Sequence, residues 1–167
     1  MRRDDRRWWL LVGLAAVLAV EELVRDAVDK GASVLTGGER ARPEGAAGDG
    51  YFFQPTVLGD IDDEATLLRE EIFGPVAPVK GFASEEEAVA AANATEYGLV
   101  SYVYTRDLQR AFRVCEALEA GMVGLNQGMV SNASAPFGGI KHSGFGREGG
   151  IEGIEEYLET KYVAINL

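Results

Sequence analysis

The sequence predicts an α/β fold, a mostly parallel open sheet with flanking helices. Three observations point there. From Val76 to Asn126 the pattern alternates strand, helix, strand, helix, strand, the order that gives a parallel sheet with right-handed crossovers. Leu99 to Tyr104 is apolar or aromatic on both faces apart from Ser101, as a strand covered on both sides reads. Apolar residues recur at helical spacing in Val20, Leu23, Val24, Ala27 and Val28, and again in Leu108, Ala111, Phe112, Cys115 and Leu118, which supplies the helices.

Taken in order, Met1 to Arg7 is charged and precedes an apolar or glycine run from Trp8 to Val20. That run is too short to span a bilayer, which takes about 20 residues. Val17-Leu18-Ala19 has the small residues of a signal-peptidase site, but two aspartates upstream and the direct passage into a helix favour a buried helix or a foreign leader over a signal segment. The helix from Val20 ends at Gly31, which supplies the left-handed residue that commonly closes one. Ser33 to Thr36 is a short strand closed by Gly37-Gly38, and Glu39 to Gly50 reads as an exposed loop. In Tyr51 to Leu58, Pro55 lacks a ladder donor, so that strand lies at an edge or begins at the proline.

Asp60 to Glu64 is an acidic turn, and Val76 to Phe82 is extended. Ser84-Glu85-Glu86-Glu87 is a capping box opening a helix through about Asn93. Thr105 or Asp107 caps the next helix, Gly121 stops it, and Met122 to Asn126 is the following strand. Asn126 thereby sits at the carboxyl edge of the sheet, where ligands of such folds gather. Gln127 to Gly149 is long and glycine-rich, and a loop of that length within a compact domain is usually functional. Ile151, Ile154, Tyr157 and Leu158 suggest a short helix. Lys161 to Leu167 alternates as a terminal strand with Val163, Ile165 and Leu167 on one side. No earlier strand is its obvious partner, which hints at pairing with another chain.

Composition narrows the function classes. The 167 residues, 47% hydrophobic and 26% charged, fit one soluble domain with a real core. A formal charge of −11 argues against nucleic acid or an anionic membrane as main partner, because both would repel that surface. The single cysteine, Cys115, excludes an internal disulfide and a zinc cluster and fits a reducing, cytoplasmic setting.

Among short motifs, Glu70-Glu71-Ile72-Phe73-Gly74-Pro75-Val76 is the most suggestive. Glu71 and Phe73 share one side of an extended run. A carboxylate there can accept hydrogen bonds from both hydroxyls of a ribose while a phenyl face packs on a flat heteroaromatic ring. Residue types alone favour the plainer reading, a turn with a surface acid and a core Phe. Gly144-Phe145-Gly146-Arg147-Glu148-Gly149 satisfies G-x-G-x-x-G but follows a glycine-rich loop and no strand, so the dinucleotide reading fails its context. Cys115 lies on the apolar face of a helix and reads as a packed thiol. His142, in a loop without nearby ligands, reads as structural or solvent-facing, and no metal site is expected.

Four segments together carry a resemblance. Glu70 to Val76, Asn93-Ala94-Thr95-Glu96-Tyr97-Gly98-Leu99, Gly121 to Asn126, and above all Pro136 to Glu148 resemble the carboxyl-terminal part of the aldehyde dehydrogenase superfamily, over a span from about Val20 to the end. Gly121 to Asn126, Val130-Ser131 ahead of Ala135 to Gly139, and Glu156 to Tyr162 are most similar to succinate-semialdehyde dehydrogenases and relatives acting on short semialdehyde acids. The resemblance implies a partial catalytic domain of that family with a C-terminal oligomerisation strand. It divides the chain into an atypical leader (1–19), the partial domain (20–150) and a terminal helix and strand (151–167).

It also implies roles. Glu71 would hold the nicotinamide ribose hydroxyls of NAD or NADP, and Phe73 would pack near the nicotinamide ring. Ser131 would donate a hydrogen bond to the distal carboxylate of a small aldehyde substrate, and Phe137 would line the aldehyde tunnel. The terminal strand would join a neighbouring subunit, giving a homo-oligomer or a pairing with a full-length subunit. The family's chemistry further needs a cysteine thiolate, an oxyanion site and a glutamate base. None has a match here. The nucleophilic cysteine, the base, the nucleotide-binding domain and the carboxylate-clamping arginines would all precede Val20. The expectation is therefore a truncated dehydrogenase that is inactive alone, with a non-catalytic assembly module as the competing reading.

Overall fold

In the computed structural model, described over residues 5–42, 45 and 50–166, the chain divides into two units, Met1–Gly81 and Phe82–Leu167. Met1 to Asp4 of the leader, positions 43, 44 and 46–49 of the expected loop, and Leu167 of the expected terminal strand lie outside the described residues.

The first unit is organised on α1 (Asp5–Asp29), which begins well before the periodic stretch at Val20, so the leader runs into the helix without a break. Gly31, at φ 103°, ends it: the Gly31 amide donates to the Val28 carbonyl and the Ala32 amide to the Ala27 carbonyl, each at 2.9 Å. Those paired bonds satisfy carbonyls that the helix leaves open. Leu23, Val24 and Ala27 of α1 form a core with Ala32, Leu58, Ile61, Ala65 and Leu67.

Strands β1 (Ser33–Thr36), β2 (Arg40–Ala41), β3 (Phe52–Phe53), β4 (Thr56–Gly59) and β5 (Val76–Pro78) follow. The main sheet has the order β1-β4-β5, antiparallel at Ser33↔Gly59 and Val34↔Leu58, parallel at Thr56↔Val76. Pro55 splits the run Tyr51 to Leu58 into β3 and β4, and β4 restarts just after it as the central strand. The expected exposed loop opens with β2, which pairs with β3 through Arg40↔Phe53 and Ala41↔Phe52. Local composition could not announce that pairing, because its partner lies across the loop.

The 3-10 turn Thr66–Leu68 is tied to α1 by charge. Asp26 accepts from the Thr66 amide at 2.8 Å and pairs with Lys30 at 2.7 Å, while Lys30 Nζ donates to the Glu64 carbonyl at 2.8 Å. The Lys30 ammonium, then the Thr66 amide, hold the Asp26 carboxyl down at about 2.

The second unit contains α2 (Glu85–Asn93), β6 (Tyr97–Gly98), β7 (Val100–Val103), α3 (Leu108–Ala117), β8 (Met122–Leu125), β9 (Ile140–Lys141) and α4 (Glu152–Glu155). The capping box forms. Ser84 Oγ accepts from the Glu87 amide at 3.1 Å, and Glu87 Oε2 accepts from the Ala83 amide at 2.8 Å. Asp107 caps α3 by accepting from the Arg110 amide at 3.0 Å, which with the Gln109 amide lowers its carboxyl pKa. Strands β7 and β8 pair in parallel from Val100↔Met122 to Val103↔Leu125, joined through α3 as the alternating pattern requires. Glu85 bonds Arg110 at 3.0 Å and Arg113 at 3.1 Å, strapping α2 to α3; the Arg113 contact contributes most to holding the Glu85 carboxyl below its usual range.

Three expectations are corrected here. The run Leu99 to Tyr104, which contains β7, is not covered on both sides within this unit, since Leu99, Tyr102 and Tyr104 are exposed. On α3 only Ala111 of the expected face is buried, while Leu108 and Phe112 remain exposed. Periodicity marks which residues share a face, but cover depends on what packs there. The expected short helix does form as α4, with Gly153 buried and Ile151, Ile154, Tyr157 and Leu158 exposed. The terminal strand expected from Lys161 does not form over the described residues: from Leu158 to Asn166 the chain has neither helix nor strand, with Tyr162, Val163 and Ile165 exposed, since alternation makes a strand only where another strand pairs with its backbone.

Candidate functional site

Beyond the 3-10 turn the chain crosses the edge of the first unit's core with its residues alternating. Ile72 packs against the core, while Glu71 is exposed and Phe73 is 81% exposed. Two tight turns fix this presentation. The Gly74 amide donates to the Ile72 carbonyl and the Val76 amide to the Gly74 carbonyl, both at 2.9 Å, the i to i+2 bonds of γ-turns. The Pro75 carbonyl then accepts from the Thr56 amide at 2.8 Å, next to the first parallel rung of β4 and β5. Gly74 lies so close to α1 that a Cβ there would come 2.5 Å from Val20 Cγ2.

The plainer reading of this motif therefore fails in one half: Phe73 is not a core residue, and it is Ile72 that packs against the core. The donor set also suits the group that the resemblance implies. Among the described residues the ion pairs of this unit occupy Asp26, Glu21, Glu64 and Asp63, and none takes Glu71. A carboxylate with uncommitted oxygens beside an open phenyl face fits a vicinal diol next to a flat ring.

In the second unit the chain leaves β8 at Asn126, which adopts a left-handed φ of 53°. Its amide donates to the Val103 carbonyl at 2.8 Å. Its side chain reaches Thr105 twice, Oδ1 accepting from the amide and Nδ2 donating to the carbonyl, each at 2.9 Å. Ser131 is exposed at the far end of the following segment. Phe137 is half-buried and joins Glu148 in a bridge, its amide donating at 2.7 Å and its carbonyl accepting at 2.8 Å. Phe137 also lines an open groove of about 610 Å³ with Leu99, Ser143, Phe145, Arg147 and Tyr157. Glu71 and Phe73 belong to one unit and Ser131 and Phe137 to the other, each pair placed by its own surroundings.

The long loop is knitted rather than loose. β9 pairs with β6 through Tyr97↔Lys141 and Gly98↔Ile140. Lys141 Nζ donates to the carbonyls of Asn93 and Thr95 at 3.0 and 3.1 Å and pairs with Glu119 at 2.5 Å. The sequence reading missed this brace. Its partners stand 48, 46 and 22 residues away, and the one local sign, the left-handed φ of 54° at Lys141, is invisible in residue types. Arg147 Nη1 donates to the carbonyls of Gly139 and Gly146 at 2.8 Å, so the G-x-G-x-x-G stretch serves the loop's own closure. Cys115 is half-buried on α3 as a free thiol, and His142 is exposed, its Nδ1 3.2 Å from Glu96. Among the described residues no cluster of three or more His, Cys, Asp or Glu is placed to hold a metal, and no helix is long and apolar enough to cross a membrane.

Comparison with known proteins matches residues 11–163 to the sequence model described as the aldehyde dehydrogenase family. A succinate-semialdehyde dehydrogenase from Paenarthrobacter nicotinovorans is 55% identical over 87% of this chain and 31% of its own length. A glutarate-semialdehyde dehydrogenase from Pseudomonas putida is 52% identical over 94% of this chain and 31% of its own length. The crystal structure of an NADP-dependent enzyme from E. coli superposes with a TM-score of 0.84 at 52% identity, covering 92% of this chain and 31% of that one. The chain thus spans about 31% of the length of the relatives it matches.

Proposed function

Because this chain belongs to the aldehyde dehydrogenase family, we propose that it is the carboxyl-terminal part of an NAD(P)-dependent enzyme that oxidises a short semialdehyde acid, of the succinate-semialdehyde type, to the dicarboxylic acid. In the family such oxidation runs through a cysteine thiohemiacetal and thioester. The single observation that carries the assignment is the outward pair Glu71 and Phe73 held by an inward Ile72. Leaving a phenyl ring 81% exposed forgoes roughly 1.5–3 kcal/mol of burial, which makes sense where a ligand ring covers it.

When bound, the nicotinamide would supply two-electron oxidation of the aldehyde carbon. Glu71 would accept from the two ribose hydroxyls, and Phe73 would pack near the ring. Ser131 would donate to the distal carboxylate of the substrate, and Phe137 would line its approach. In this reading Cys115, half-buried on α3, is a packed thiol and not the nucleophile, and the chain alone is inactive. The lone thiol and the charge of −11 support cytoplasmic residence.

The test is a segment exchange, with this chain replacing the matched part of the E. coli NADP-dependent enzyme. In that active enzyme Glu71→Gln should raise KM for the nicotinamide cofactor about tenfold, the worth of a charge-assisted bond reduced to a neutral one. An unchanged KM would remove Glu71 from the cofactor site. A second reading is favoured by the exposed segment with Tyr162, Val163 and Ile165, which forms no strand among the described residues: a non-catalytic assembly module that pairs with a full-length subunit. That reading is lost if the chain neither co-purifies with a complete aldehyde dehydrogenase nor self-associates in size-exclusion chromatography.

A further inference from the structure

We infer that Asn126 is a positioning residue for the Ser131 contact with the substrate carboxylate, holding the segment between them in a fixed exit from the sheet. The inference rests on the reading of Ser131 given above. Strands β7 and β8 end their ladder at Val103↔Leu125. One step further the backbone of Asn126 turns left-handed, at φ 53°, and leaves the sheet, while its carboxamide stays behind. The carboxamide accepts from the Thr105 amide and donates to the Thr105 carbonyl, both at 2.9 Å, so it stands where the next peptide group of β8 would have stood. The ladder is completed by a side chain, and the main chain is released to do something else.

What it does is fold back. A Cβ on Gly124 would lie 2.6 Å from the Tyr102 ring and 3.0 Å from Val130 Cγ1, so Tyr102 and Val130 both sit over Gly124. The segment 126–130 is therefore pinned at both ends, at Asn126 by the carboxamide and at Val130 by the bare glycine surface. Ser131 follows immediately. Few side chains meet both demands at position 126. Glycine takes the left-handed backbone but offers no amide, and aspartate would keep the acceptor while turning a carboxylate oxygen toward the Thr105 carbonyl. Asparagine tolerates the backbone and carries donor and acceptor together.

Two measurements test this. In the 167-residue chain itself, hydrogen exchange of the Thr105 amide should quicken about tenfold in Asn126→Gly, with the β7–β8 amides unchanged, as loss of one modest hydrogen bond predicts. In the segment-exchange enzyme, Asn126→Gly and Asn126→Asp should each lower the preference for succinate semialdehyde over butanal about tenfold, through KM for the semialdehyde and with kcat for butanal kept. A merely structural role would instead reduce turnover of both aldehydes alike. Unchanged Thr105 exchange, or an unchanged preference, overturns the inference. Ser131→Ala separates it from its premise. If that variant keeps the preference, the reading of Ser131 is wrong and the inference falls with it. If Ser131→Ala loses the preference while Asn126→Gly keeps it, only the positioning role is refuted.

Discussion

Gly74 is the point where the candidate cofactor segment touches α1, and Gly74→Ala tests whether that contact sets the segment's place. The added methyl would lie 2.5 Å from Val20 Cγ2, with Val20 Cγ1 at 3.3 Å and Cβ at 3.5 Å. Val20 cannot swing aside, because a β-branched side chain in a helix holds one strongly preferred rotamer, and it is buried to within 4%. The turn cannot easily retreat either, since its Gly74 and Val76 amides are bonded locally and the Pro75 carbonyl is bonded to the Thr56 amide. Overpacking of this kind costs roughly 1–3 kcal/mol. With a urea m-value of about 2 kcal/mol/M, the unfolding midpoint should fall by roughly 1 M. Val20→Ala removes the obstructing methyls, so in the double variant the alanine at 74 should cost little, giving a coupling energy of at least about 1 kcal/mol. Additivity within about 0.5 kcal/mol would show that the methyl finds room without Val20 and would refute the reasoning.

The folded-state pKa of Asp26, about 2, lies below its ordinary 3.8, so the clamp stabilises the chain above pH 3.8 and weakens as pH falls toward 2; Asp26→Asn should flatten the stability profile across that window, and an unaltered slope in urea titrations would exclude the clamp. The purified chain should show no NAD(P)-dependent oxidation of succinate semialdehyde; activity that disappears in Cys115→Ser would make Cys115 a nucleophile after all.

How much of this was legible in the sequence depends on the range of the cause. The cap at Ser84, the stop at Gly31 and the break at Pro55 were readable because each is decided within a few residues, whereas the sequence left Thr105 or Asp107 open as the cap of α3 and the structure takes Asp107. The parallel pairing of β7 with β8 was readable because one helix separates them. The alternation through Glu71, Ile72 and Phe73 was visible as a pattern, but its phase was not: residue types put the phenyl ring inside, and the structure puts the isoleucine there. Cover is a non-local quantity. The same limit explains Leu108 and Phe112 on α3, whose periodicity promised a buried face, and Lys141, whose three oxygen partners are remote in sequence.

Both candidate segments solve one physical problem in the same way. A group meant to meet a ligand must be exposed and yet held still, and exposed chain is entropically costly to fix, at roughly 1–2 kcal/mol per residue. Near Glu71 and Phe73 the immobilisation comes from Ile72 in the core, from two γ-turns and from the close approach of Gly74 to Val20. Near Ser131 it comes from Val130 seated over Gly124 and from the Asn126 carboxamide on Thr105. In each case an apolar anchor adjoins the exposed group in sequence, and a glycine lets the anchor or the turn approach its support. If Glu71 and Ser131 were ordinary surface residues, neither device would be needed, because a solvated acid or hydroxyl gains nothing from a fixed position. The paired anchors thus favour ligand contact at both segments over an ordinary solvated surface, and they mark Gly74 and Gly124, which touch no ligand in this reading, as positions where a single methyl would disturb the anchor and the segment it holds together.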